Sequence, residues 1–165
     1  QGQVQFNEKK VSPADLAAFY NMADCTLNIA DAEGFGLATL ESLSCETPII
    51  VNMTGGLQEQ VTDGKDWFGI GIEPSSKAVI GSLTVPYIYE DRINEDDFVN
   101  ALVEMYEMDP KDRAKLGKKG REHVMKNYNF DNFKKTWVDV MTEIHNECGS
   151  WENRKGYNSW ESIEL

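Results

Sequence analysis

Between residues 25 and 61 the chain alternates short apolar or β-branched runs with short helical segments, and this alternation constrains its fold more than any other feature. Cys25-Thr-Leu-Asn-Ile29 reads as a buried strand, 30–36 as a loop and 37–45 as a short helix. Thr47-Pro-Ile-Ile-Val51 is a further strand, its β-branched run suited to a sheet covered on both faces. Thr54-Gly55-Gly56 then makes a turn, and 57–61 a brief helical segment. Upstream, 4–6 can pair as a strand. Ser12-Pro13-Ala14-Asp15 starts a helix, with serine as N-cap, proline at the first helical position and an acid in the first turn. Leu16, Phe19, Tyr20 and Ala23 recur at helical spacing and give this helix one apolar face, and Asp24 closes it. Strand, helix, strand, helix, strand predicts an α/β domain whose parallel sheet is built of βαβ units and flanked by helices.

Beyond Asp63-Gly64 the pattern loosens. Residues 67–92 mix Gly, Pro and Ser with candidate strands at 68–72 and 85–89, and their shape is not legible. Asn94-Glu-Asp-Asp97 caps a helix with apolar positions at Phe98, Leu102, Met105 and Tyr106. Asp109-Pro110 opens another that runs to the neighbourhood of Tyr128. Asp131 caps a third, striped by Phe133, Trp137, Val140, Met141 and Ile144 and ended by Cys148-Gly149. The expected organisation is one domain over 1–149 and a tail over 150–165 that carries Trp151, Tyr157 and Trp160 without periodicity. There are no internal repeats.

At 165 residues with 41% hydrophobic side chains, the chain can fill one core. A formal charge of −12 argues against nucleic acid or anionic lipid as partner, since both demand a positive surface. Cys25, Cys45 and Cys148 match no metal spacing and no disulfide framework, which points to a reducing compartment and a cytoplasmic location. No apolar run approaches the ~20 residues needed to cross a bilayer, and no signal peptide opens the chain. Gln1-Gly2 leads straight into 4–6 without an initiator methionine, which reads as a start inside a larger protein.

The chemistry concentrates in 32–41. Where a strand ends, a glycine-bearing loop follows and a helix begins near Gly36, backbone N–H groups and the positive end of the helix dipole make a site for phosphate. Gly34 and Gly36 allow close backbone approach. Glu33 stands just before the helix and Glu41 about one and a half turns into it, so that one acid can reach past the phosphates while the other meets a second group along the ligand. Carboxylate oxygens are acceptors suited to sugar hydroxyls. Taken alone, such a pair also fits a solvated helix face. The third glycine of the dinucleotide fingerprint is missing, which disfavours an NAD site.

The segment Glu33-Gly-Phe-Gly-Leu-Ala-Thr-Leu-Glu41 resembles the Glu-x7-Glu motif of retaining glycosyltransferases with the GT-B fold, particularly the family 4 group. Asp15-Leu16, Phe19-Tyr20 and Ala23-Asp24 resemble the helix that this family places before the motif. Thr47-Pro48-Ile-Ile, Thr54-Gly55-Gly56 and Val61-x-Asp63-Gly64 resemble the strand and turns after it. The resemblance is close over 4–64 and general over 98–144. It implies the Rossmann-like carboxyl-terminal half of a GT-B fold, incomplete at its amino terminus. It also implies binding of a nucleotide-diphosphate sugar and hexosyl transfer with retention, without a cofactor or metal. In residue terms, Glu33 would meet donor-sugar hydroxyls near the reacting carbon. Backbone amides of Gly34, Phe35, Gly36 and Leu37 would hold the diphosphate, Glu41 the ribose hydroxyls, and Thr54 and Gly55 would line the pocket. Asn7 and Glu8 could border the base or form plain surface. Glu33 would position and stabilise charge without being a nucleophile. His123 and His145 read as ordinary helix residues.

The chain departs from the family pattern in three ways. The Arg and Lys that clamp the diphosphate would precede Gln1, and Lys9, Lys10 and Lys65 are substitutes only if they are not simply solvated. The amino-terminal acceptor domain is absent, so this segment alone is expected to be inactive, with its aromatic tail placed to cross to that domain or to associate with itself. Glu46 stands where the family has glycine, and 67–92 is longer than the usual connection, reading as a surface excursion more than as a pocket cover or partner site. The alternatives are a non-catalytic nucleotide-sugar binding module and an interaction domain on the same scaffold.

Overall fold

A computed structural model of the chain describes residues 4–156. It divides into two units, 1–126 and 127–165.

In the first unit the elements run α1 (Pro13–Met22), β1 (Thr26–Asn28), α2 (Leu37–Ser44), β2 (Ile49–Asn52), α3 (Leu57–Val61), β3 (Ile70–Ile72), β4 (Ser76–Ile80), β5 (Ile88–Arg92), α4 (Glu95–Glu107) and α5 (Pro110–Asn127), the last ending at the division. β1, β2 and β3 form a parallel sheet in that order, with Leu27 opposite Ile50 and Ile50 opposite Ile70. The sequence-based expectation of a parallel α/β sheet flanked by helices holds.

β2 is buried along its whole length, as a central strand covered on both faces must be. Alternation sends Ile50 to one face, where it packs with Ile72, Ala101 and Met105. Ile49 and Val51 face the other, with Leu43, Leu57 and Val61 all fully buried. Hydroxyls fix α2 to the sheet. Thr26 Oγ1 and Ser42 Oγ lie 2.6 Å apart, Ser42 also donates to the Thr47 carbonyl, and Asn28 donates to Thr39. α5 approaches the end of α2 through glycine: a Cβ on Gly117 would stand 1.8 Å from the Glu46 carbonyl oxygen, and one on Gly120 2.6 Å from Leu43 Cδ2. Glycine costs a helix interior about 1 kcal/mol of propensity, so the close approach is what these positions secure.

Several expectations are corrected. Residues 4–6 form no strand, and Val4 and Phe6 are exposed; a three-residue run makes too few ladder bonds to offset its ordering without an adjacent partner. β1 is shorter than 25–29 and half-covered: Leu27 is 49% exposed on the face it shares with Ile50, beside the open groove that Leu102 and Met105 of α4 line. On α1 itself Leu16, Tyr20 and Ala23 are half-buried, whereas Phe19 is exposed. On α4 the buried positions are Ala101 and Met105, while Tyr106 faces out. The loose region contains β3 and an antiparallel hairpin, β4 with β5, pairing Ala78 with Glu90.

The second unit holds α6 (Phe130–Cys148). Its N-cap is Asn129, whose side chain accepts from the Asn132 N–H, and not Asp131; asparagine at this place reaches the third helical amide. Gly149 in the left-handed region ends it, with its N–H donating to the His145 carbonyl. Phe133, Trp137, Met141 and Ile144 are all half-exposed or more. Trp151 is exposed beneath the Arg154 guanidinium at 3.8 Å, whereas Tyr157 and Trp160 lie outside the described residues.

Candidate functional site

The loop 30–36 leaves the carboxyl end of β1, where open α/β sheets present ligand sites. Gly36 is the N-cap of α2 at φ 89° and ψ 58°, a left-handed geometry that glycine enters without steric cost. Gly56 N–H donates to the Gly34 carbonyl at 3.3 Å, and the Gln60 side-chain amide donates to the Phe35 carbonyl. Because each peptide is planar and trans, these contacts turn the N–H groups of Phe35 and Gly36 the opposite way, away from Gly56 and Gln60. The loop therefore turns the amides of Phe35 and Gly36 outward beside the positive end of α2.

The glycine turn at 54–56 is the floor of this loop. A Cβ on Gly55 would lie 1.7 Å from the Glu33 carbonyl oxygen, and one on Gly56 2.7 Å from that of Phe35. Gly34 has open space around it. Glu33 is half-buried, while Phe35 and Leu37 are exposed. The structure thus brings Glu33, Gly34, Phe35, Gly36, Gly55 and Gly56 together and sets Leu37 at the first turn of α2. Thr54 is buried, and its hydroxyl is engaged by Asp91.

Glu41 lies on the exposed side of α2, where its Oε2 accepts from the Tyr20 hydroxyl at 3.0 Å. Burial, then the hydrogen bond to Glu41 and its charge, push the Tyr20 phenol up to about 12. Tyr20 therefore remains a neutral donor to Glu41 throughout the physiological range. Sequence reasoning assigned Tyr20 to an apolar face and did not see this bond, although its place in the helix preceding the motif was a usable signal.

Two further groups support the loop. Asn52, fully buried at the end of β2, donates to the carbonyls of Ala30 at 2.9 Å and Asp91 at 3.0 Å. Gln60, equally buried, carries the contact to Phe35. The side-chain oxygens of both amides, Asn52 Oδ1 and Gln60 Oε1, accept no hydrogen bond from the described residues.

Lys9, Lys10 and Lys65 are all exposed, as are Asn7 and Glu8. His123 is buried, stacked on Phe68 at 4.2 Å, and its Nε2 lies 3.2 Å from the Glu59 carbonyl, so it serves packing. No cluster of three or more metal-ligating side chains occurs among the described residues. A groove of about 320 Å³ lined by Cys25, Leu27, Ile50, Leu102, Met105 and Arg113 opens at the start of β1, the opposite end from the motif loop. It has the character of packing space. Burial pushes the Cys25 thiol up to about 11, so it is inert at neutral pH, and Arg113 is spent on the carbonyls that end α4.

The family model for glycosyl transferases group 1 matches residues 1–123, which includes every element of the parallel sheet and the motif loop. The chain belongs to this family. Its curated relatives include D-inositol 3-phosphate glycosyltransferases of Acidothermus cellulolyticus, 38% identical over 45% of this chain and 17% of the relative, and of Kribbella flavida, 32% identical over 66% and 21%. Sucrose-phosphate synthase of Thermosynechococcus elongatus superposes with a TM-score of 0.61 at 24% identity, over 80% of this chain and 28% of that one. The chain thus spans roughly a fifth of its curated relatives' length. Its α/β architecture is that of the GT-B glycosyl transferases. No described helix is long and apolar enough to cross a membrane.

Proposed function

We propose that this chain is the donor-binding part of a cytoplasmic retaining glycosyltransferase and grips a nucleotide-diphosphate sugar at 33–41. The observation that carries the reading is the loop 33–36, whose inward carbonyls and left-handed Gly36 turn its amides outward at the start of α2. Such a place favours a diphosphate without needing a metal ion. Amides of Gly34, Phe35, Gly36 and Leu37 hold the diphosphate. Glu41, with one oxygen held by Tyr20, offers the other to ribose hydroxyls. Glu33 meets donor-sugar hydroxyls and stabilises positive charge as the phosphate leaves and the anomeric configuration is retained. Thr54 and Gly55 shape the floor. Turnover requires a separate acceptor domain in addition, since the groups named here all serve the donor.

The test is calorimetry or ligand-observed NMR on this chain with UDP-, GDP- and ADP-sugars. One nucleotide class binds saturably, and Glu41→Ala weakens it by about 10- to 100-fold, the worth of hydrogen bonds to a charged group. Equal affinity in the variant removes the ribose role. Absence of binding across the panel removes the donor reading, and glycosyl transfer by this chain alone would refute the half-site.

A further inference from the structure

The excursion 67–92 is tied to the motif loop from its far end. Asp91 in β5 makes three contacts with the segment around the site: its N–H donates to the Asp31 carbonyl at 2.7 Å, its carbonyl accepts from Asn52 at 3.0 Å, and its Oδ2 accepts from the Thr54 hydroxyl at 2.8 Å. The adjacent Arg92 donates to Asp31 Oδ2 at 2.7 Å and is itself braced by Glu90. Asp31 stands two residues before Glu33, and Thr54 opens the turn on whose Gly55 the Glu33 backbone rests. The base of the hairpin therefore grips both sides of the loop, upstream through Asp31 and beneath through Thr54. The hairpin beyond that base, from Val79 round to Tyr89, is exposed and has no part in the grip.

We infer that Asp91 is a positioning residue, and that the β4–β5 hairpin is a strap which holds the loop 30–36 in its amide-outward form. The inference rests on the donor-binding reading for its functional meaning and on the contacts alone for its physical one. Preorganising a binding loop raises affinity by removing the cost of ordering it. The carboxylate matters in a specific way. One of its oxygens accepts from Thr54, while the other lies 3.4 Å from the exposed Lys77 ammonium and contributes little. An asparagine in its place keeps the acceptor, whereas an alanine loses it but leaves the two backbone bonds intact.

The experiment is amide hydrogen exchange on this chain, with titration by UDP, GDP and ADP as probes. Asp91→Ala and Thr54→Val each speed exchange at the amides bonded to the loop carbonyls, Gly56 N–H on Gly34 and the N–H of residue 91 on Asp31, by about tenfold, the worth of one hydrogen bond, while β2 and α2 keep their protection. The double variant is no faster than either single one, since both delete the same contact. Asp91→Asn stays near the parent, and affinity for the nucleotide that binds falls about fivefold to tenfold in Asp91→Ala alone of the two Asp91 variants. Unchanged exchange at Gly56 and residue 91 in Asp91→Ala overturns the strap, as does faster exchange spread equally over the sheet. Faster exchange with unaltered affinity overturns its role in binding. If the parent chain binds none of the three nucleotides while the exchange result holds, the strap stands and the donor reading falls.

Discussion

The parallel sheet and the β4–β5 hairpin are stabilised in opposite ways. In the sheet each strand is only three or four residues long, and stability comes from side chains: β2 is buried end to end, and α2, α3, α4 and α5 close over it. The hairpin has the longer ladder, five paired positions, yet buries no residue fully, and Leu83 at its tip is wholly exposed. The sheet is a packed core that tolerates little change. Among the described residues, the hairpin is a lever tied to the sheet and the motif loop at Asp91 and Arg92.

Substitutions can break that contrast. Gly117→Ala should have the largest effect, because its Cβ meets the Glu46 carbonyl and backbone must shift to admit it. A loss of about 3 kcal/mol, at the severe end of overpacking, is expected in urea unfolding. A loss below half of that would mean that α5 sits more loosely on α2 than its glycines imply. Glu46→Gly acts next and in the other direction. Glu46 holds φ at 62°, where a side chain is strained, and its partner Arg121 is 3.7 Å away and half-exposed. Relief of the left-handed geometry should outweigh the weak pair and stabilise the chain by about 0.5–1 kcal/mol, read as a raised melting temperature. Leu83→Ser closes the series with a change within about 0.5 kcal/mol, as for an exposed site away from any packing. Substantial melting in that variant would show the hairpin tip to be part of a core after all.

The same contrast explains what was legible beforehand. The βαβ order, the Ser12 cap and the helical turn 57–61 were readable because their signals are local: a cap, a proline at the first position, a β-branched run. The motif loop was readable as a strand-to-helix junction with two glycines. The hairpin was not, since Ser76–Ile80 carries no turn signal of its own and earns its pairing only from β5. Asp91 and Tyr20 were missed for a related reason. Their partners Thr54 and Glu41 lie 37 and 21 residues away, and no spacing rule reaches that far. Glu46 shows the reverse, a departure visible in sequence whose meaning, a left-handed residue abutting Gly117, needed the fold.

The bond between Arg92 and Asp31 joins residues 61 apart, and every strand of the parallel sheet lies between them or at their edge. Loop-closure entropy makes such a contact unfavourable until the intervening chain has condensed. The loop 30–36 is therefore set only after β2 and β3 have docked, so on the donor-binding proposal competence to bind is a late event in folding. A chain stalled with an open sheet would have its helices but no ordered motif loop, and on that proposal a nucleotide would stabilise the finished fold and no earlier form.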